Sequence, residues 1–462
     1  MDIKKQKVIL VTVFHSLVSK NILNTDAIIH LRDSNKYKIV LLVPKIKKNF
    51  FDLHYAHKNI VIEGIDMQTF GEGWKENLMQ TLAKLLIDTH YLHYKRRELL
   101  DSKKTIDGWI KYAIRELIVY ACAGKNFCIH IFHKIDLSFG KKEIYKSIFS
   151  TYKPELIFST DIFEQMGAQL LREAKDQNIK TIGMVRSWDN CLSKGLLRIK
   201  PETFIVNNEV IKDELITIHG VSESSINVVG LPQFDRFISE NPQDKKTFFE
   251  KNNLDPEKKL IMFAPGGNVL SDTDPDICNI LITAMKDGLL PNDVQIFVRN
   301  HPHHPADLDY FKNRDDIIVQ SPGSILDSST HKETELTPVD QDFLRNILAY
   351  TDVLIWVATS LCLDALVYDV PQVVVNFDGF QTKNYYHSVK RYHDEDHMKK
   401  MFALKPFRIA NNSEQLISNI DMYLKDNTID SRERELVKKQ QFYKVDGHAG
   451  ERIAQIINTV IN

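Results

Sequence analysis

The chain has 462 residues, 60 Lys and Arg against 61 Asp and Glu, and a formal net charge of -1 at pH 7. That length exceeds what one hydrophobic core usually serves and predicts two domains, while the balanced charge excludes the basic field that a nucleic-acid partner demands. The five cysteines, Cys122, Cys128, Cys191, Cys278 and Cys362, are odd in number and lack metal-ligand spacing, so reduced thiols in a cytoplasmic protein are the simplest account. The start MDIKKQK enters a strand pattern without an apolar leader, and no stretch approaches the ~20 apolar residues of a membrane span.

In the first half, KVILVTV at 7 to 13 is a strand, Lys20 to Arg32 has helical spacing and KIVLLVP at 38 to 44 is a second strand, which together open a βαβ unit. His15 sits just past the first strand. Residues 74 to 124 carry long helical patterns and the basic run Tyr94-Lys95-Arg96-Arg97. They predict a helical insertion whose charges form a solvated face, the alternative being contact with an anionic membrane surface. PELIFST at 154 to 160 is a strand ending at Asp161, and IKTIGMVRSWDN at 179 to 190 is another ending in Ser187-Trp188-Asp189-Asn190. A Trp beside an acid at a strand end suits a sugar, because the ring face stacks on a pyranose and the carboxylate accepts hydroxyl hydrogen bonds. Buried capping is the alternative for both acids. A strand and helix over 203 to 220 and a last strand over 226 to 237 precede the polar stretch Ser239 to Lys259, the predicted domain boundary.

The second half holds three strands that each end in a polar loop. LIMFAPGGNV at 260 to 269 ends in Gly266-Gly267, which permits positive φ and close approach of a ligand. VQIFVRNHPHHP at 294 to 305 places Arg299 and His301 on one face by the period of two. Pro302 holds the preceding residue extended, so His301 is predicted to be presented rather than buried. His301, His303 and His304 cluster, but no His-x-x-x-His or Cys spacing supports a metal. TDVLIWVATSLCLDALVYDVPQVVVNFDG at 351 to 379 reads as strand, loop, helix, strand. Thr359 or Ser360 is placed as N-cap of a helix that faces the strand's carboxyl end, an arrangement that attracts anions. Asp364 lies one turn on, where it could accept hydrogen bonds from a ribose diol; the plainer reading is a cap and a solvated acid. In an open parallel sheet such loops gather on one edge.

His301-Pro302, Thr359-Ser360 with Asp364, and the tail VDGHAGERIAQII at 445 to 457 resemble the nucleotide-binding half of GT-B glycosyltransferases. The branch is that of the CDP-glycerol glycerophosphotransferases and bacterial surface-polysaccharide transferases, and SWDN with Lys194-Gly195 is similar to a motif of the latter. The resemblance implies an α/β fold of two Rossmann-like domains facing a cleft, with a helical insertion in the first. The expected parts are an acceptor-binding domain over 1 to 238 with its insertion at about 74 to 124, a donor-binding domain over 256 to 430, and a last helix, about 431 to 462, crossing back to the first domain. It implies that His301, Thr359 and Ser360 hold nucleotide phosphates and Asp364 the ribose; Gly266, Gly267 and Arg299 are donor-side candidates from their strand-end placement alone.

The activity so implied is transfer of a sugar from a UDP-, CDP- or CMP-linked donor to a saccharide or lipid-linked acceptor, without metal or other cofactor. His15, Asp189 or Asp161 would deprotonate the acceptor, with Trp188 and Asn190 contacting it. In His15, a histidine that only hydrogen-bonds its own loop is the alternative. Three rivals stand beside this reading: a CDP-polyol phosphotransferase, an epimerase of the UDP-N-acetylglucosamine 2-epimerase type, and a non-catalytic nucleotide-sugar-binding subunit. A cytoplasmic location, with association at the inner face of a membrane as the further option, completes the expectation.

Overall fold

A computed structural model describes residues 6–67, 73–102, 105–139, 143–311, 314–325 and 334–462. The opening residues 1–5, and residues 103–104 of the predicted insertion, lie outside them. The chain divides into two compact units, Met1–Asp235 with Phe442–Asn462, and Arg236–Gln441.

Unit 1 is built on strands β1 (Lys7–Thr12), β2 (Tyr37–Pro44), β3 (Ile60–Ile65), β4 (Leu156–Ser159), β5 (Lys180–Met184), β6 (Thr203–Val206) and β7 (Ile226–Val228). All pair in parallel, in the order β3-β2-β1-β4-β5-β6-β7. Central strands read as unbroken apolar runs because both faces are covered. Ile9 and Val11 join one core layer with Ile39 and Leu41, while Val8 and Leu10 join the opposite layer with Val40 and Leu42, as the two-residue period requires. Helix Gln165–Asp176 covers the second layer through Leu170, Leu171 and Ala174.

The first layer is completed by the chain's last helix, Ala449–Ile461, whose Ile453, Ala454, Ile457 and Ile461 pack with Ile9 and Val11. Gly450 lets this helix approach helix Asp26–Asp33: a Cβ there would stand 2.6 Å from the Ala27 nitrogen. The predicted single terminal helix is two. Helix Ser431–Phe442 precedes it and is anchored in unit 2 by the buried Arg434, which bonds Asp369.

Among the described residues between β3 and β4 lie the helices Trp74–Leu85, His90–Ser102, Ile106–Cys122, Asn126–Phe139 and Lys146–Tyr152, so the helical segment runs further than its predicted end. The basic run is not a solvated face. Tyr94 and Arg96 are buried, Arg96 Nε donates to Glu116 at 2.6 Å, and the Arg97 guanidinium lies over the rings of Trp109 and Tyr112. Helix packing took these side chains because their long stems cover apolar surface.

Unit 2 repeats the plan with β8 (Lys259–Ala264), β9 (Val294–Arg299), β10 (Ile318–Gln320), the short antiparallel ribbon β11 (Ser324–Ile325) and β12 (Thr334–Glu335), β13 (Val353–Trp356), β14 (Gln372–Val375) and β15 (Arg408–Ala410). Its main sheet is parallel in the order β10-β9-β8-β13-β14-β15. The polar stretch expected as a linker carries helix Lys245–Lys251, capped by the Asp244 carboxylate at 3.0 Å from the Thr247 nitrogen and held by the buried Phe248 and Phe249.

Both sheets reverse strand order beside their first strand, so the loops after β1 and β4, and those after β8 and β13, diverge at a crevice on the carboxyl edge.

In unit 1 the Asp235 carboxylate accepts the first amides of the last helix, Ala449 at 3.0 Å and Gly450 at 2.7 Å. Asp235→Ala is expected to lower stability by about 2 kcal/mol, measured as a lowered midpoint for unit 1 in urea unfolding.

Candidate functional site

At the carboxyl edge of unit 2, the loop after β8 is held from within. The amides of Gly266 and Gly267 donate to the two carboxylate oxygens of Asp274 at 3.1 and 2.8 Å. Gly267 has φ +77, and a Cβ there would stand 1.9 Å from the carbonyl oxygen of His304. The close approach expected of a ligand is therefore made by the neighbouring loop. These glycines shape the edge, and their amides are already engaged. Burial pushes the Asp274 carboxyl up to about 6 against the pull of those two amides.

The loop after β9 is clamped by Asn300, whose Oδ1 accepts from the amides of His301 at 3.0 Å and Ala306 at 2.7 Å. Within it, His301 Nδ1 accepts from the amides of His303 at 3.1 Å and His304 at 3.0 Å. Two N–H groups aimed at Nδ1 leave the ring proton on Nε2. Burial first, then the neighbouring His303 and His304, hold His301 down to about 4. It is half-buried rather than fully presented, and at neutral pH it is an uncharged donor through Nε2.

Arg299 does not share that aspect. It is buried, its Nη1 donates to Gln320 at 2.7 Å, and its guanidinium lies 5.5 Å from the Phe343 ring centre. Burial lowers it to about 10, with the carboxylates of Asp340 and Asp364 opposing. Asp364, predicted as a ribose acceptor, is itself buried and lends its charge to Arg299. A buried cation needs a nearby anion more than the surface needs a carboxylate, and that requirement turns both residues inward.

At the end of β13, Thr359 Oγ1 accepts from the Leu361 amide at 3.1 Å and so supplies the cap, while Ser360 is exposed at the start of helix Leu361–Leu366. The sequence reading missed His393, which is buried between the ends of two strands, with Nε2 3.0 Å from the Val357 carbonyl oxygen and Nδ1 2.8 Å from Asn376. No local pattern marks it, because both partners are distant in sequence. Asp274 was findable, since Thr273-Asp274-Pro275 is a helix-start signature.

In unit 1 the crevice joins two of the three proposed bases. Arg186 Nε donates to Asp161 Oδ2 at 2.7 Å in a buried pair, and Arg186 Nη1 lies 3.5 Å from His15 Nδ1. His15 Nδ1 also accepts the Leu17 amide at 3.1 Å, which places its proton on Nε2. Asp161 Oδ1 accepts from the Phe163 amide at 3.0 Å. The third candidate, Asp189, is engaged by hydroxyls: Ser187 Oγ donates to one oxygen at 2.5 Å and Ser193 Oγ to the other at 2.8 Å. Trp188 is half-buried and Asn190 fully buried, so Asn190 does not present itself to an acceptor.

Glu164, overlooked in the sequence, stands beside this group. Burial, then repulsion from Asp161, raises it to about 7, with Arg186 and Lys194 opposing.

A family model described as CDP-Glycerol:Poly(glycerophosphate) glycerophosphotransferase matches residues 160–459, from the end of β4 through all of unit 2. The chain belongs to that family. A processive diacylglycerol beta-glucosyltransferase of Bacillus licheniformis is 22% identical over 227 residues, 44% of this chain and 57% of that protein, so this family member spans little more than half of that relative. Among solved structures, the UDP-GlcNAc 2-epimerase of Neisseria meningitidis bound to UDP-GlcNAc aligns over 98% of this chain and 100% of that one, with a TM-score of 0.55 and 9% identity. A variant of the wall teichoic acid polymerase TagF with CDPG aligns over 99% of this chain and 89% of that one, with a TM-score of 0.52 and 14% identity. These similarities show the fold of the glycerophosphotransferase-like chain, two Rossmann-like α/β sheets.

Because Glu164 binds its proton more tightly folded than unfolded, its contribution to stability is present below the unfolded value near 4.5 and is lost as pH rises through about 7. Glu164→Gln is expected to flatten the fall in thermal midpoint between pH 5 and pH 8, a difference on the order of 1–3 kcal/mol, read by paired melts at the two pH values.

Proposed function

We propose that the protein is a transferase that takes an activated group from a nucleotide-linked donor held by unit 2 and passes it to a hydroxyl of a cell-surface polymer or lipid-linked acceptor. The observation that carries this is the edge of unit 2. There the Nε2–H of a neutral histidine, His301, and the hydroxyls of Thr359 and the exposed Ser360 stand on neighbouring loops at the point where strand order reverses, inside the region that the family model matches. Neutral N–H and O–H donors suit phosphate oxygens and stabilise the charge that builds on a leaving phosphate. They do so here in place of a divalent ion. Gly266 and Gly267 serve by bringing the two loops together, and Arg299 with Asp364 by fixing the strand end beneath them.

Family membership favours a CDP-linked polyol as donor. The acceptor oxygen would then attack the phosphorus bearing the polyol, the bond between the two phosphorus centres' bridging oxygen and that phosphorus would break, and CMP would leave. In the second reading, supported by the glucosyltransferase similarity, attack falls on the sugar's anomeric carbon and a nucleoside diphosphate leaves. In either case His15 and Glu164 are the groups of unit 1 proposed to move the acceptor's proton. Asp161 and Asp189 hold Arg186 and the loop after β5 in place.

Titration with CDP, CMP, UDP, GDP and dTDP by thermal shift, with magnesium or with EDTA, tests the donor site. His301→Ala and Ser360→Ala are each expected to weaken the preferred nucleotide about tenfold or more, and EDTA to leave binding unchanged. Nucleotide affinity equal to the parent's in both variants would refute the assignment. Analysis of the released nucleotide, CMP or a diphosphate, then separates the two readings. Conversion of a nucleotide sugar with no acceptor present would instead indicate an epimerase.

We further propose that the helical insertion rests on an anionic membrane surface. No helix among the described residues is long and apolar enough to cross a membrane. Yet helix Ile106–Cys122 exposes Ile106, Ile110, Ile114 and Leu117, an uninterrupted stripe at three- and four-residue spacing, and Asn126–Phe139 exposes Phe127, Ile131 and Ile135. Water-facing stripes of this kind mark an interaction surface. From residue 90 to 146 the chain has twelve Lys or Arg against six Asp or Glu, a local excess of +6 in a chain of net charge -1. Apolar stripe and basic excess together suit anionic lipid. The expected result is cosedimentation with phosphatidylglycerol vesicles, weaker with pure phosphatidylcholine and abolished in the double variant Ile110→Asp, Leu117→Asp. Equal recovery of parent and variant would refute it.

A further inference from the structure

A cavity of about 150 Å³ lies at the carboxyl edge of the unit 1 sheet, lined by Gln80, Lys84, Phe163, Gln165, Lys194 and Arg198 among others. It adjoins the loop that carries Asp161 and Glu164, but neither of those carboxylates lines it. Its walls come from helix Trp74–Leu85, from the loop after β4 and from the segment following Ser193.

The fold builds this junction with care for distance. Gly195 has φ +93, and a Cβ there would stand 2.9 Å from the backbone nitrogen of Lys84. The Leu196 amide donates to the Ala83 carbonyl at 2.8 Å, and Gln80 Nε2 donates to Gln165 Oε1 at 3.0 Å. These contacts hold two lysines from separate segments near one another. Lys84 is lowered by burial and then by the charge of Lys194, so the pair stands at a cost in repulsion.

The cavity's third cation is already neutralised. Arg198 bonds both Glu76 and Asp136. Among the described residues no carboxylate lines the cavity and no ion pair or hydrogen bond engages the side-chain ammonium of Lys84 or Lys194, although Glu164 attracts Lys194 at longer range. The end of helix Trp74–Leu85 favours one cation in its last turn, but it does not account for a second brought in from another segment. Two ammonium groups, two side-chain amides and a space equal to about five waters of liquid volume match a tetrahedral oxyanion with an apolar neighbour in Phe163.

We infer that this cavity is an anion site of unit 1 that takes a phosphate ester of the acceptor, with Lys84 and Lys194 as its two cationic contacts. The inference rests on the reading of the protein as a transferase to a phosphate-bearing acceptor. A phosphate ester can come from a soluble polymer or from a lipid headgroup, and the site's chemistry is the same for both.

The test uses the full chain and two probes, a short soluble glycerophosphate oligomer and phosphatidylglycerol vesicles, with parent protein, Lys84→Gln, Lys194→Gln, Lys84→Arg and the distant surface control Lys175→Gln. Binding of at least one probe is expected to weaken about tenfold in each Gln variant and to be retained in Lys84→Arg and Lys175→Gln. The probe affected names the source. CDP affinity, measured in parallel, is expected to stay unchanged in all variants, so loss of the donor reading would show separately. The inference is overturned if the parent binds neither probe, if the Gln variants bind as the parent does, or if Lys175→Gln weakens binding equally, which would mean that net charge alone is responsible.

Discussion

A parallel strand cannot turn back on itself, and each of these sheets therefore sends its chain out at the carboxyl edge, over a covering helix and back. Because strand order reverses beside β1 and beside β8, the connecting loops part there and leave a crevice that no crossover covers. Everything chemical in the protein follows from that restriction. His15, Asp161 and Arg186 meet at one such point, and Gly266, His301, Thr359 and Ser360 gather around the other, although each set is scattered over long intervals of sequence.

Electrostatics then sorts the residues that reach those edges into supports and contacts. A side chain whose charge is buried must be answered by another, so Arg299 lies within reach of the charges of Asp340 and Asp364, and Arg186 pairs with Asp161. The groups proposed to meet a ligand are neutral donors, His301 and the two hydroxyls, with Glu164, whose carboxyl burial raises, beside the other crevice. His301 owes its neutrality first to burial, and its tautomer to the two backbone amides that donate to Nδ1.

Much of the scaffold was legible in the sequence, because apolar runs such as VILVT and LIMFA can be buried on both faces only in a parallel sheet, and the motifs at their ends mark the edge. Which side chains face outward was not legible. Arg299 and His301 obey the same two-residue period, but Asn300 bends the chain between them, and that bend depends on Ala306, a partner beyond any strand pattern. Likewise the basic run near Tyr94 looks solvated as a string of letters, and only the packing of Glu116 and Trp109 against it reveals otherwise. The apolar stripe of helix Ile106–Cys122 has the same period as a core-facing helix, so its spacing does not tell which way it faces.

The last helix, Ala449–Ile461, fills one face of the sheet that β1 begins. Synthesis proceeds from the amino end, so strands made first wait with that face uncovered while all of Arg236–Gln441 is translated and can fold on its own. During that interval Ile9, Val11, Ile39 and Leu41 lack their final covering, and a chaperone or a provisional packing must shield them. Unit 1 is thus closed by residues made after the whole of Arg236–Gln441, and a ribosome that stalls before residue 449 leaves that unit unfinished however long it waits.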